Sequence, residues 1–97
     1  MSVMQTVEAQ VATAHGSRYL QQLAKHWAHK FPVEFTAADA TIDMPLGKCV
    51  MSATPERLDV VLSGADDTDM QRFQQVVADH LQRFGFKETL TFAWRAV

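Results

Sequence analysis

The chain has 97 residues, of which 47% are hydrophobic and 21% charged, with a formal net charge of −2 and a single cysteine. These values are typical of one globular domain spanning residues 1–97, which buries about two-thirds of its unfolded surface and needs no disulfide or structural metal to fold. The negative charge argues against a nucleic-acid-binding protein, and one cysteine excludes an internal disulfide or a multi-cysteine metal site within one chain.

The first sixteen residues predict a strand rather than a signal peptide, because they lack a basic segment followed by a continuous apolar run. Between residues 6 and 13, Val7, Ala9 and Val11 alternate with other residues, which indicates a half-buried strand. No apolar run in the chain approaches the ~20 residues that cross a bilayer. We therefore expect a cytoplasmic protein without membrane contact.

Residues 18–31 predict the first helix, with Ser17 as its N-cap and Pro32 as its stop signal. Its apolar residues recur at helical spacing: Leu20, Leu23, Ala24 and Trp27. Short alternating segments follow at residues 33–36, 40–44, 49–53 and 58–62, and Pro45-Leu46-Gly47 reads as a hairpin turn. These segments predict an antiparallel meander.

The second helix is predicted from residue 70 to residue 84. Its acidic beginning at residues 66–69 provides a cap, and Gly85 stands where a left-handed C-cap belongs. The apolar face consists of Met70, Phe73, Val77, Leu81 and Phe84. The alternation of Leu90, Phe92 and Trp94 then predicts a final strand over residues 89–94.

This order of elements predicts an α+β fold, a two-layer sandwich of one antiparallel sheet with both helices on one face. The other sheet face is expected to be polar. The helices also match each other at a constant offset, with Arg18 over Arg72 and His26 over His80. A β-α-β pseudo-repeat explains this match, but so does amphipathic patterning shared by two unrelated helices.

The candidate functional residues centre on the two helices. His80 falls within the apolar arc of the second helix, so we expect it to point at the sheet. It is either a neutral, hydrogen-bonded structural imidazole or an acid/base or ligand group. Lys25, His26 and His29 share the first helix with Tyr19 and Trp27, which are expected at the edge of the core and are candidate binding residues.

His26 and His29 are weak candidates for a metal site, because residues three apart lie on one side of a helix. No carboxylate or cysteine nearby supplies an evident third ligand, which would have to be His15, His80 or Cys49. Cys49 shares a strand face with apolar residues and is expected to behave as a small hydrophobe; a nucleophilic or binding role needs a nearby imidazole or cation.

The chain resembles a small bacterial family known as domain of unknown function 2218. The resemblance rests on residues 17–20, the segment Lys25-His26-Trp27-Ala28-His29-Lys30, residues 47–49 and 80–88, and Trp94. Many members have cysteine where this chain has Ala24. The resemblance implies no established activity, but it implies an association with flavin-dependent siderophore-interacting proteins and hence with iron acquisition.

We therefore expect a binding or accessory domain, acting on a small ligand or a partner protein and connected with iron or siderophore handling. One alternative is a small histidine-based or metal-dependent enzyme, and another is a structural dimerisation domain. No cofactor is expected, since the sequence has neither a phosphate-binding glycine loop nor a Gly-x-Ser-x-Gly motif. A homodimer is the expected assembly.

Overall fold

The computed structural model describes residues 4–97 and contains two helices and one six-stranded sheet. In chain order the elements are β1 (Gln5–Ala12), α1 (Gly16–Trp27), β2 (Val33–Phe35), β3 (Asp39–Met44), β4 (Gly47–Ala53), β5 (Arg57–Gly64), α2 (Met70–Phe84) and β6 (Arg95–Ala96). Within the described residues, neither helix has the length and apolar character needed to cross a membrane.

The sheet is antiparallel throughout, with strand order β2-β3-β4-β5-β1-β6. Strands β2 to β5 form the predicted meander, and β1 pairs with β5 along its whole length. Helix α1 therefore leads the chain from β1 across the sheet to β2 at the far edge. The predicted α+β fold with one antiparallel sheet is confirmed.

Both helices cover the same face of the sheet, as the two apolar stripes predicted. One cross-strand row of this face joins Val7, Leu62, Cys49 and Ile42. The helices contribute fully buried side chains to the same core, including Leu20, Leu23, Phe73, Val77 and Leu81. Burying these apolar side chains supplies the main driving force for folding.

The ends of α1 differ from the prediction. Ser17 is not the N-cap: the helix begins at Gly16, and the Ser17 hydroxyl donates to the carbonyl of Ala37 at 2.5 Å. The helix ends at Trp27. The Lys30 amide then donates to the Trp27 carbonyl, three residues earlier, as in a 3₁₀ turn. Pro32 disfavours helical backbone at the preceding residue, so the chain leaves the helix before the proline.

The predicted strand over residues 89–94 is wrong, since only Arg95 and Ala96 pair with β1. The side-chain amide of Gln82 accounts for the difference. It accepts from the Leu90 amide at 2.8 Å and donates to the carbonyls of Gly85 and Glu88. Three backbone groups of residues 85–90 are thus satisfied by a helix side chain, so the chain approaches residue 90 without a neighbouring strand.

Two glycines allow close approaches of the chain. Gly47 ends the predicted turn at φ +149°, and a Cβ there would lie 2.0 Å from the Ser63 carbonyl oxygen. Gly85 caps α2 but has φ −94°, so the predicted left-handed cap is wrong. A Cβ on Gly85 would lie 3.0 Å from the Tyr19 ring, and close packing is therefore what favours glycine there.

The pseudo-repeat extends over only part of the fold. Strands β1 and β5 pair antiparallel at the centre of the sheet, and each is followed by a helix. The strand after α2 then pairs with β1, whereas the strand after α1 pairs with β3 at the opposite edge. The two strand-helix units are arranged alike, but the strands that follow them are not.

The uncovered sheet face is mixed in character. Thr41, Val50, Val61 and Glu8 form a cross-strand row, in which all four residues are half-buried. Charged pairs flank this row, among them Lys48 with Asp43. The predicted polar face thus has a small apolar centre formed by the paired valines.

Candidate functional site

A cleft of about 410 Å³ opens between the beginning of α1 and the segment that follows α2. We call it the Tyr19 cleft. Its lining residues are Ala14, His15, Arg18, Tyr19, Gln22, Phe84, Phe86, Lys87 and Glu88. Beside the cleft, Gly85 allows the chain after α2 to pass directly against the Tyr19 ring.

Tyr19 and Glu88 form the polar centre of the cleft. The Tyr19 hydroxyl and the Thr13 hydroxyl both donate to Oε2 of Glu88, and the Thr13 bond measures 3.0 Å. Thr13 Oγ1 also accepts from the His15 amide, which fixes the turn between β1 and α1. Tyr19 is 4% exposed, so this hydrogen bond forms at the edge of the core.

The electrostatics of this pair fix its proton positions. The Tyr19 hydrogen bond lowers the pKa of Glu88, against the opposing effect of burial. Burial and the neighbouring carboxylate raise the pKa of Tyr19. At neutral pH the tyrosine is therefore a protonated donor and the glutamate an ionised acceptor.

Basic side chains and aromatic rings lie around this polar centre. His15, Arg18 and Lys87 are exposed along the cleft. Phe86 is 75% exposed, and the Lys87 ammonium lies 5.9 Å from its ring centroid. A single exposed aromatic side chain is common on protein surfaces, and here Phe86 supplies apolar surface beside the polar centre of the cleft. The cleft can therefore offer positive charge, an aromatic surface and a carboxylate to one ligand.

A second group of candidate residues lies where α1 contacts α2. The ring centroid of His80 is 4.9 Å from that of Trp27 and 5.4 Å from that of His26. Phe84 stands 6.0 Å from His26 and also lines the Tyr19 cleft. His80 thus faces α1 and not the sheet, contrary to the prediction. The apolar face of α2 packs against both the sheet and α1, and His80 lies on the part that contacts α1.

The two histidines of this group differ in environment. Nδ1 of His80 lies 2.8 Å from the Val76 carbonyl, the kind of backbone partner expected for a structural imidazole. His26 is exposed. Its pKa is lowered by partial burial of the ring and then by neighbouring His80 and Lys30, so it is neutral at pH 7.

The remaining candidates lie apart from both groups. Lys25 and His29 are exposed, and His29 lies in the turns beyond α1, so the regular helical spacing assumed for a His26–His29 pair does not reach it. Within residues 4–97, no three metal-ligating side chains lie together. Cys49 is fully buried, and burial raises the pKa of its thiol to about 12, so it packs as a small hydrophobe and is not accessible to a ligand.

Comparison with known proteins places the chain in a family. A family model described as "Uncharacterized protein conserved in bacteria (DUF2218)" matches residues 8–95. The chain belongs to this family. The resemblance drawn from the helix motifs is thereby confirmed, and DUF2218 membership carries with it no activity, ligand or partner.

A solved structure supports the fold of this DUF2218 chain. The NMR structure of PA4090 from Pseudomonas aeruginosa is 37% identical in sequence, with a TM-score of 0.78. The match covers 94% of this chain and 95% of PA4090. No curated protein matches the chain.

Sequence reasoning reached some of these site residues and missed others. The structure divides four of the sequence candidates between the Tyr19 cleft and the contact of α1 with α2: Tyr19, His26, Trp27 and His80. Sequence reasoning does not select Glu88 as a site residue, because it lies 69 residues from Tyr19 and no local spacing indicates their contact. The sequence signal for this segment is its place in residues 80–88, which carry part of the family resemblance.

Proposed function

We propose that this protein is a binding or accessory domain that holds a small anionic molecule in the Tyr19 cleft. The observation that carries the proposal is the combination of the part-buried Tyr19–Glu88 hydrogen bond with the two exposed cationic side chains Arg18 and Lys87 around one concave surface. Concave sites with few polar groups and adjacent aromatic surface are typical of small-molecule binding.

The charges favour an anionic ligand that also has hydroxyl groups. Arg18 and Lys87 provide permanent positive charge, and Arg in particular can hold a carboxylate or a phenolate pair through two donors. Glu88 uses Oε2 for its two protein donors, and Oε1 has no protein donor within the described residues. A ligand hydroxyl can donate to that oxygen.

The arrangement supports binding better than catalysis. A nucleophile needs an adjacent base, but the Tyr19 hydroxyl is occupied by a carboxylate that keeps it protonated. The buried thiol of Cys49 is equally unsuited. The histidine-based alternative rests on His26, His29 and His80, none of which lines the Tyr19 cleft.

We further propose a link to iron or siderophore handling, which the family resemblance suggests. Catecholate siderophores have aromatic rings, and their ferric complexes carry negative charge because the catechol hydroxyls lose their protons when they bind iron. These properties fit the aromatic surface and the cations of the Tyr19 cleft. A flavin-dependent siderophore-interacting protein would then be the partner that supplies redox chemistry, with this domain binding the ligand.

Ligand-dependent melting provides the test. A ferric catecholate, a ferric hydroxamate and iron-free catechol are each added to the untagged protein, because a ligand that binds only the folded state raises the melting temperature. We expect the ferric catecholate to give the largest rise. Arg18→Ala and Lys87→Ala should reduce it, whereas Arg72→Ala, the counterpart of Arg18 on α2, should not.

Backbone amide NMR locates the binding independently. Shifts confined to residues 14–22 and 84–88 would support the proposal. Shifts elsewhere, or melting rises that persist in Arg18→Ala and Lys87→Ala, would place the ligand at another surface. If none of these compounds changes either measurement, the siderophore link fails. A wider set of anionic aromatic compounds then tests the cleft itself.

A further inference from the structure

Two histidines from different helices face each other across the contact of α1 and α2. The ring centroids of His26 and His80 are 5.4 Å apart, with an angle of 44° between the ring planes. The two residues are separated by most of the chain, so only the packing of the helices brings them together. His26 is exposed and His80 half-buried, which leaves the pair accessible from solvent.

This spacing fits two imidazoles that bind one metal ion. A ligating nitrogen lies about 2.0 Å from Zn²⁺, so an imidazole centroid lies about 3.1 Å from the ion. At a tetrahedral angle, two such centroids are about 5 Å apart. The observed separation of 5.4 Å is close to this value, so the distance between the rings is compatible with one shared metal ion.

The hydrogen bond of His80 leaves the required nitrogen free. A backbone carbonyl can only accept, so Nδ1 of His80, 2.8 Å from the Val76 oxygen, must be the protonated nitrogen. Nε2 then has the lone pair that a metal ion needs. Histidine ligands generally have such an outer hydrogen bond, which fixes the ring and the tautomer.

We propose that His26 and His80 bind one divalent transition-metal ion, with Cu²⁺ held more tightly than Zn²⁺. Imidazole suits both ions, and Cu²⁺ stands highest in the usual order of affinity. Water completes the coordination, because no third histidine, cysteine or carboxylate lies with the pair within residues 4–97. The pair replaces His26 and His29, which the sequence suggested, and it is distinct from the Tyr19 cleft.

Trp27 provides a direct measurement. Its ring centroid is 4.9 Å from that of His80, so Cu²⁺ bound by the pair should quench the Trp27 fluorescence. We titrate Cu²⁺ into untagged Trp94→Phe protein, in which Trp27 is the remaining tryptophan, and expect saturable quenching with one ion per chain. Zn²⁺ should compete with Cu²⁺ and relieve the quenching.

Substitutions identify the ligands. His26→Ala, an exposed change that should preserve the fold, is expected to weaken Cu²⁺ binding by about tenfold or more, as is His80→Ala. His29→Ala and His15→Ala are the matched controls and should bind as the parent does. Arg18→Ala should also leave binding unchanged, which separates this site from the proposed ligand cleft.

Several outcomes would overturn the proposal. Quenching that does not saturate, or that saturates equally in His26→Ala, would show that the pair is not the site. Loss of binding in His29→Ala with retention in His80→Ala would place the metal on the surface of α1 alone. If His80→Ala proves unfolded, the comparison of His26→Ala with His29→Ala still decides between these arrangements.

Discussion

The hydroxyl of Tyr19, near the beginning of α1, donates a hydrogen bond to the carboxylate of Glu88, which follows α2. This bond joins the two strand-helix units at the Tyr19 cleft, where the Thr13 hydroxyl donates to the same oxygen. It lies at the edge of the core, with a buried tyrosine and a half-buried glutamate. The contact therefore both stabilises the fold and forms the floor of the proposed binding site.

Removal of the Tyr19 hydroxyl should destabilise the protein. Tyr19→Phe keeps the buried ring but deletes a hydrogen bond to a charged acceptor, a class worth about 1.5–3 kcal/mol. Urea unfolding should show a lower midpoint with an unchanged slope. Gln22→Ala, on the exposed side of the same cleft, is the control and should stay within about 0.5 kcal/mol. Equal midpoints for Tyr19→Phe and the parent would show that Thr13 alone satisfies Glu88.

Acid should weaken the fold through Glu88. Its folded pKa lies below the ordinary value of 4.5, so the unfolded state takes up the proton first. The stability that the ionised carboxylate contributes is present above pH 4.5 and is lost as pH falls through the folded pKa. Urea midpoints measured between neutral and acid pH should fall less steeply in Glu88→Gln than in the parent. Glu34→Gln, on the edge strand β2, should retain the parent's acid profile.

Gly47 should not tolerate a side chain. Its φ of +149° is unfavourable for other residues, and the added Cβ would collide with the Ser63 carbonyl. We expect Gly47→Ala to lose more than about 3 kcal/mol or to fail to fold. Gly85→Ala should destabilise the protein less than Gly47→Ala, because the Tyr19 ring and the Leu90 side chain can shift. Circular dichroism melting curves compare the two, and an undisturbed Gly47→Ala would mean that the turn has another geometry.

His80 should contribute to stability through packing. Its hydrogen-bond partner, the Val76 carbonyl, lies within α2 and accepts the regular helical bond as well, so His80→Ala leaves no orphaned acceptor. The loss should be about 1 kcal/mol, from contacts with Trp27 and His26. His29→Ala should stay within about 0.5 kcal/mol. A His29 variant less stable than the His80 variant in urea would show that the helix faces are assigned incorrectly.

The homodimer stays a prediction, and the uncovered sheet face is where we place it. Val50 and Val61 form a half-buried pair at its centre, and covering them with a second copy would remove apolar surface from water. Light scattering should give the mass of two chains. Val61→Lys should give the mass of one chain. Gln10→Lys, on the exposed rim of the same face, is the control and should give the mass of two chains. A monomer at high concentration in the parent protein would contradict this assembly.

The sequence by itself determined the features that depend on local pattern. The period of two in β1, the turn at Pro45 and Leu46, and the apolar stripe of α2 all appear in the structure as expected. Asp69 caps α2 by accepting from the Arg72 amide at 3.1 Å, again a local interaction. The sheet has one apolar face and each helix has one apolar stripe. Burial of all three surfaces therefore required both helices to cover the same face of the sheet.

Tertiary structure alone decided what depends on distant residues. The stripe of α2 faces both the sheet and α1, and helical periodicity does not distinguish between these neighbours, so His80 was assigned to the wrong one. The amide of Gln82 replaces the expected final strand, and Gly85 leaves room for Tyr19. The Tyr19–Glu88 and His26–His80 contacts likewise join residues more than fifty positions apart. Such pairings arise when the core packs, and no local spacing in the chain encodes them.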